Sequence, residues 1–339
     1  MTLKLGLELP YTEMGDRDAL IALSRHAEAL GYDAIWCSEL YSFDAFTTLT
    51  QIACATETIR LGTNIANIYA RTPAMLAGTA ASLDQLSGGR FILGIGVSGP
   101  QVIEGWHGVP YDRPIARTRE TIEIVRRVLS GDKLIHEGTV FNVTKGLRLL
   151  NKPLRPDLPV YVASLGPKNV ELTAEMADGW LPTFFSPAHA KETFGAALDA
   201  GLAKRSPALG PLEVAPFVPS YAGDLATGRD ILRFVVGFYV GGMGSREQNF
   251  YNTLVRRYGF VEEAERIQDL FLGGDKGAAI AAVPDEMVDA VSLVGDEDRI
   301  RDGLAAFEAA GATALVVGAL APDPEGRMRT LETIARANT

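Results

Sequence analysis

The chain has 339 residues, 47% of them hydrophobic and 22% charged, with a formal net charge of −10, enough chain to bury a large α/β core or two average domains. The acidic balance argues against nucleic acid, which is held mainly through basic surface, and no run approaches the ~20 apolar residues that cross a bilayer. The opening residues have one Lys and then acids, and the two cysteines, Cys37 and Cys54, offer neither a framework of bridges nor metal spacing, so a reduced, cytoplasmic enzyme without a metal or a secretory signal is expected.

In chain order, LKLGLEL from Leu3 reads as the first strand. The helix after it places Leu20, Leu23, Ala27 and Leu30 on one face, with Arg25 and Glu28 elsewhere. Gly31 then suits the left-handed position just past a helix end. Further strands are DAIWC from Asp33, IRLGTNI from Ile59, RFILGIG from Arg90, VYVAS from Val160, GWLPT from Gly179, LEVAPFV from Leu212 and ALVVGA from Ala314. Four passages repeat one pattern of helix end, Gly and apolar strand: AEALGYDAIWCSE, LDQLSGGRFILGIG, TAEMADGWLPTFF and FEAAGATALVVGAL. Such short helix-to-strand turns imply parallel strands joined by crossover helices. Cys37 ends a buried strand and Cys54 follows in a helix, so both read as apolar filler.

Eight strands with interleaved helices predict a (β/α)8 TIM barrel, with an open doubly wound sheet as the competing arrangement. Two connections exceed one helix: about 100–158, after strand four, with the helix TRETIEIVRRVLSG and a hairpin in LIHEGTVFNV; and about 222–312, after strand seven. No Pro/Ser linker divides the chain, so residues 1–339 are read as a single barrel domain with these two insertions. In such barrels chemistry sits on the strand-to-helix loops. Here those loops are long and individual, as in CSELYSFD, GIGVSGPQ and ASLGPKN.

Gly94, Gly96 and Gly99 spell G-x-G-x-x-G after the fourth strand. A dinucleotide fingerprint needs its third Gly to open a helix, and an acid ending a second strand about twenty residues later. Gly99 is instead followed by Pro100, Glu104, Trp106, His107 and Pro110, which read as loop, and then by an amphipathic helix. The dinucleotide reading fails its context. What remains is a plain turn, or a loop whose backbone comes close to a flat ligand.

The loop GIGVSGPQVIEGWHGVPY, the strand exit IWCSELY, the segment IRLGTNIANIYARTPA, the unit SLDQLSGGRFILG and the pair VYVASLGPK and ADGWLP together resemble the luciferase-like oxidoreductases. More narrowly they resemble the actinobacterial branch that uses the 8-hydroxy-5-deazaflavin coenzyme F-420, similar in pattern to methylenetetrahydromethanopterin reductase. The resemblance runs from Leu3 to about Leu320. It implies a coenzyme F-420-dependent oxidoreductase that moves hydride between the deazaflavin and a small organic molecule. An FMN-dependent monooxygenase, or a barrel that binds a flavin-like ligand without catalysis, are the alternatives. A homodimer is the implied assembly.

Carried over by position, the resemblance places the cofactor at the C-terminal mouth, against a non-prolyl cis peptide at Asn64–Ile65. Asn67 and Arg71 match the polar and basic positions beyond it, Val97, Ser98 and Gly99 the loop beside the ring system, and Ser164, Leu165, Gly166, Pro167 and Lys168 the loop near the tail. Ser38 joins this set at the exit of strand two. The tail is anionic, and Thr72-Pro73 and Gly166-Pro167-Lys168 both read as helix starts able to favour an anion; solvated surface charge is the plain alternative for Arg71 and Lys168. One departure stands out. Many relatives have an acid followed by His at the strand-two exit, whereas this chain has Glu39 and Leu40. Leu40 exchanges no proton, which leaves Glu39 as a candidate general acid or substrate ligand, or simply a salt-bridged carboxylate.

Glu104 and His107, flanking Trp106, are the other catalytic candidates; packing of the insertion is the alternative for them. His26, His136 and His189 read as structural. Tyr11, Tyr41 and Trp180 lie near strand ends, to line a pocket or to pack in the core.

Overall fold

In a computed structural model, which describes residues 2–11 and 14–338, the chain forms β1 (Lys4–Glu8), α1 (Arg17–Ala29), β2 (Ala34–Cys37), α2 (Ala45–Ala55), β3 (Arg60–Thr63), β4 (Ala66–Asn67), α3 (Pro73–Leu86) and β5 (Phe91–Gly96). Then come α4 (Pro100–Gly105), α5 (Pro114–Leu129), the hairpin β6 (Leu134–Glu137) and β7 (Asn142–Leu147), β8 (Val160–Ala163), α6 (Pro167–Met176), β9 (Gly179–Trp180) and α7 (Ala190–Leu202). The last third has β10 (Glu213–Val214), β11 (Phe217–Ala222), α8 (Leu225–Gly242), α9 (Phe250–Arg257), α10 (Val261–Leu272), α11 (Lys276–Ala281), α12 (Asp285–Asp289), β12 (Leu293–Gly295), α13 (Glu297–Ala309), β13 (Ala314–Ala319) and α14 (Pro324–Ala337). Among the described residues no helix is long and apolar enough to cross a membrane.

All strands except the antiparallel β6–β7 pair are parallel, in the order β10-β9-β8-β5-β3-β2-β1-β13-β11-β12, with β4 beside β5. The sheet curls until its ends meet in one stretch of chain. Ala215 N–H donates to Trp180 O at 2.9 Å and Phe217 N–H to Pro182 O at 2.9 Å, while β11 pairs with β13. This curled parallel α/β sheet is the form that the expected barrel requires. The seventh expected strand is split at Ala215-Pro216, because Pro216 has no N–H to give to a ladder. An additional short strand, β12, extends the sheet from β11.

Two apolar layers hold the curl. Between strands and helices lies the main core, with Leu7, Ile35, Leu61, Phe91, Val162 and Val317 fully buried. Inside the curl, Trp36, Ile92, Tyr161, Leu181 and Val316 pack together. Trp36 fits only because its neighbours lack side chains: a Cβ on Gly6 would stand 2.5 Å from Trp36 Nε1, and one on Gly62 would be closer still to the same ring.

Two readings of local sequence are corrected. Gly99 is not followed by plain loop: it is the N-cap of α4, whose first residue is Pro100, where a missing N–H costs nothing. That helix has six residues, and α5 and a hairpin follow it in place of a second parallel strand, so the dinucleotide geometry is still absent. Cys54 is exposed, not apolar filler, while Cys37 is buried as expected. The hairpin stands as expected. It is tied to α5 by the Glu120 carboxylate, which accepts from the backbone N–H groups of Thr139, Val140 and Phe141 at 2.8–3.1 Å.

Candidate functional site

The C-terminal ends of the strands surround a cavity of about 440 Å³. β1 brings Glu8, followed by Tyr11; β2 is followed by Ser38, Glu39 and Leu40; the turn after β3 brings Asn64 and Ile65, joined by a cis peptide bond. Val97, Ser98 and Gly99 follow β5, with Ser98 in the left-handed region at φ 55°, and Ser164 to Asn169 follow β8. Tyr239, Met243, Phe250 and Tyr251 come from α8, α9 and the turn between them. Of the expected site residues, Ser38, Glu39, Asn64, Ile65, Val97 to Gly99 and Ser164 to Lys168 come together around this cavity.

Glu8 is the buried acid of the site. Its carboxyl is bonded by Ser38 Oγ and by Asn64 Nδ2 at 2.9 Å, and Ser38 Oγ also lies 2.7 Å from Asn64 O. A hydroxyl has one proton to donate. Both Ser38 contacts are therefore satisfied together only when Glu8 carries a proton, donates it to Ser38, and Ser38 donates on to Asn64 O. Burial pushes the Glu8 carboxyl up to about 7, against the pull of its hydrogen bonds to Ser38 and Asn64. Tyr11 stands beside Glu8 and Ser38.

Glu39 also lines the cavity, but its charge is taken up: Arg71 Nη1 lies 2.6 Å from Glu39 Oε2, and Asn67 N–H donates to the same oxygen at 3.2 Å. The Arg71 guanidinium reaches Asp44 as well and lies 4.8 Å above the Phe46 ring. Neither Arg71 nor Asn67 lines the cavity; Asn67 is buried, with Oδ1 accepting from Tyr69 N–H at 2.9 Å. Glu104 and His107 are not among the lining residues either, and Glu104 Oε1 accepts from Tyr111 N–H at 3.2 Å. Trp106, between them, is exposed and faces Tyr41. Tyr11 lines the cavity, whereas Trp180 is fully buried behind it, its Nε1 donating to Ser164 O at 2.9 Å. His26, His136 and His189 sit with Glu332, Glu120 and Ser186, away from the cavity. Among the described residues no group of three or more His, Cys, Asp or Glu is arranged to hold a metal ion.

At the other side of the cavity α6 begins. Gly166 is its N-cap, no side chain caps the N-terminus, and Pro167 takes the first turn. Lys168 is the only cation among the described lining residues. Asn169, on the same turn, is 8% exposed, and its Oδ1 is buried without a hydrogen-bond partner among the described residues. A buried, unsatisfied carbonyl oxygen on a cavity wall calls for a donor from a ligand. An uncapped helix start with a lysine calls for an anion.

Sequence reasoning missed Glu8, Asn169 and the α8–α9 wall. Glu8 had a signal: it is the one acid in the strand run LKLGLEL, whose other charged residue, Lys4, stands exposed at its start. The others had none, since Tyr239 and Tyr251 reach the cavity only through long-range packing.

Comparison with known proteins places these features in context. The luciferase-like monooxygenase family profile matches residues 5–314. A protein of Mycobacterium tuberculosis provisionally named a coenzyme F420-dependent oxidoreductase is 39% identical over 332 residues, covering 94% of this chain and 95% of the relative. The 5,10-methylenetetrahydromethanopterin reductase of Archaeoglobus fulgidus is 32% identical over 333 residues, 95% of each chain. Among solved structures, the coenzyme F420-dependent tetrahydromethanopterin reductase from Methanopyrus kandleri superposes with a TM-score of 0.85 at 26% identity, covering 99% of this chain and 98% of that one.

Proposed function

Because the chain belongs to the luciferase-like monooxygenase family, we propose that it is a coenzyme F-420-dependent oxidoreductase passing hydride between the deazaflavin and a small organic molecule. The observation that carries this reading is the start of α6: an uncapped helix N-terminus, Lys168, and the partnerless Asn169 Oδ1 on one cavity wall. These residues fit a ligand with an anionic tail and hydroxyls, while Asn64–Ile65 and Val97 to Gly99 offer backbone and apolar surface to a flat ring. Ser38, Ser164, Leu165, Gly166 and Pro167 complete the set that would hold it. Arg71 and Asn67 act on it through Glu39, as positioning residues.

The bound deazaflavin would supply hydride at ring carbon five. The protein's part is to place the acceptor, exclude water and handle one proton. Glu8 is the group suited to that proton, since it is buried in the cavity wall and poised near neutral pH. Glu39, ion-paired to Arg71, holds charge in place, and Glu104 and His107 shape the neighbouring loop. The two long connections, about 100–158 and 222–312, are read as insertions after the fourth and seventh strands of one barrel spanning residues 1–339. The reading also has the protein act in the cytoplasm as a homodimer on a small molecule, apart from nucleic acid and membranes; the net charge of −10 supports its independence of nucleic acid.

Equilibrium binding of coenzyme F-420 and of FMN to the purified protein tests the proposal. Deazaflavin bound in preference to FMN is the expected result. FMN bound with no deazaflavin binding overturns it in favour of a flavin monooxygenase, and deazaflavin binding without turnover across a broad acceptor panel points to a carrier.

A further inference from the structure

The wall supplied by α8, α9 and their connecting turn faces the Glu8 side of the cavity. The Tyr239 phenol lies near Glu8, Tyr11, Tyr41 and Tyr251. Tyr239 and Tyr251 meet edge to face with centroids 4.7 Å apart, and both pack on the fully buried Phe184. These rings are held in place before any ligand arrives. Outside, Tyr41 and Trp106 are 53% and 64% exposed with centroids 6.5 Å apart. Neither lines the cavity itself, but Tyr41 directly follows the lining residue Leu40 and lies near Tyr239, so the exposed pair continues the apolar wall toward solvent.

Charge narrows what this side accepts. Its carboxyl groups are Glu8, uncharged while it bonds Ser38 as described, and Glu39, already paired with Arg71; among the described lining residues the one cation, Lys168, stands at the start of α6, beside the cofactor tail. An anionic acceptor would lose its water there and find no unpaired cation to replace it. Leu40 adds an apolar side chain to the cavity lining beside Glu39.

We propose that the acceptor is an uncharged molecule with a flat ring system, its reacting end between Glu8 and the Tyr239–Tyr251 wall and its outer part against Tyr41 and Trp106. This rests on the cavity being the reaction site. Ring stacking on the wall supplies affinity, and the lack of an unpaired cation on this side turns anions away.

The probes are 2-acetylnaphthalene, a neutral ketone, and 2-naphthoate, similar in shape but anionic, titrated calorimetrically into the full chain with and without saturating deazaflavin. The ketone is expected to bind at least about tenfold more tightly. Trp106→Ala and Tyr41→Ala should each raise its dissociation constant by roughly three- to tenfold, with deazaflavin affinity unchanged. Leu40→Lys should shift the preference toward the naphthoate. Equal or tighter binding of 2-naphthoate by the unmodified protein, no binding of either probe, or indifference to Trp106→Ala overturns the proposal. Loss of the cofactor reading shows separately, as ketone binding without deazaflavin binding.

Discussion

Glu8 presents its carboxyl to a hydroxyl and a carboxamide, with no cation bonded to it among the described residues, and the consequences can be measured in two ways. Folded, it titrates near 7 against an ordinary value of 4.5. The native state therefore binds the extra proton between those values, so stability falls as pH rises through that window, by roughly 3 kcal/mol at most. Glu8→Gln should raise the melting temperature at pH 8 and leave it little changed at pH 4.5. A lower melting temperature at pH 8 would contradict the burial argument. In turnover, the same substitution should lower kcat by about 10²- to 10⁴-fold and remove the limb of the pH profile near 7. On the other wall, Lys168→Ala should weaken deazaflavin binding by about ten- to a hundredfold, the scale of a hydrogen bond to a charged group; an unchanged dissociation constant would reject the anion site. Lys168 was legible because a Gly-Pro-Lys run announces a helix start. Asn169 was not, since its significance lies in a missing partner, which no spacing records.

Glu120 of α5 makes most of the side-chain hydrogen bonds that hold the β6–β7 hairpin, beside Arg113, just before that helix, which bonds Thr139 O. Burial raises the Glu120 carboxyl, but the backbone hydrogen bonds from Phe141, Thr139 and Val140 and the Thr139 hydroxyl outweigh it and bring it down to about 2. Its contribution is therefore complete above 4.5 and lost as pH falls toward 2. Glu120→Gln should cost about 1–3 kcal/mol and open residues 134–147 to proteolysis at pH 7; wild-type cleavage there should appear only under acid. If the variant hairpin resists protease as well as wild type, the tether is not what holds it. The hairpin itself could be read from LIHEGTVFNV, with its turn marked by Gly138. Its anchor could not, because Glu120 lies 19 residues before Thr139, inside a helix whose pattern gives no reason to single it out. The short α4 escaped for a different reason: six residues make less than two turns, too few to show a period.

Across the whole molecule, the repeated helix-Gly-strand unit made the parallel sheet legible, since each unit reports local amphipathicity and one turn. The interior of the curl was less so. Trp36, Gly6 and Gly62 belong to three adjacent strands, and only their convergence explains why two strands have glycine where a branched side chain is usual. Trp36→Ala should destabilise the fold by about 3–5 kcal/mol in urea unfolding. It should also weaken deazaflavin binding, because Ser38 and Glu39 leave the same strand. A loss below about 1 kcal/mol would mean that the interior repacks around the gap. The α8–α9 wall shows the same limit of sequence reading: GGMGSREQNFYN reads as loop and helix, but Met243, Phe250 and Tyr251 share a cavity with Glu8 only once the curl has formed.

The two cysteines have a practical consequence. One thiol, Cys37, is sealed inside the sheet and the other, Cys54, opens to solvent on α2. Burial also holds the Cys37 thiol in its unreactive protonated form at neutral pH. A maleimide dye added to the native protein should therefore attach once, at Cys54, without any engineered cysteine. Mass spectrometry of the labelled chain would show a single adduct, and a second would appear only after denaturation. The chain thus arrives with its own attachment point for a reporter fluorophore or a sensor surface.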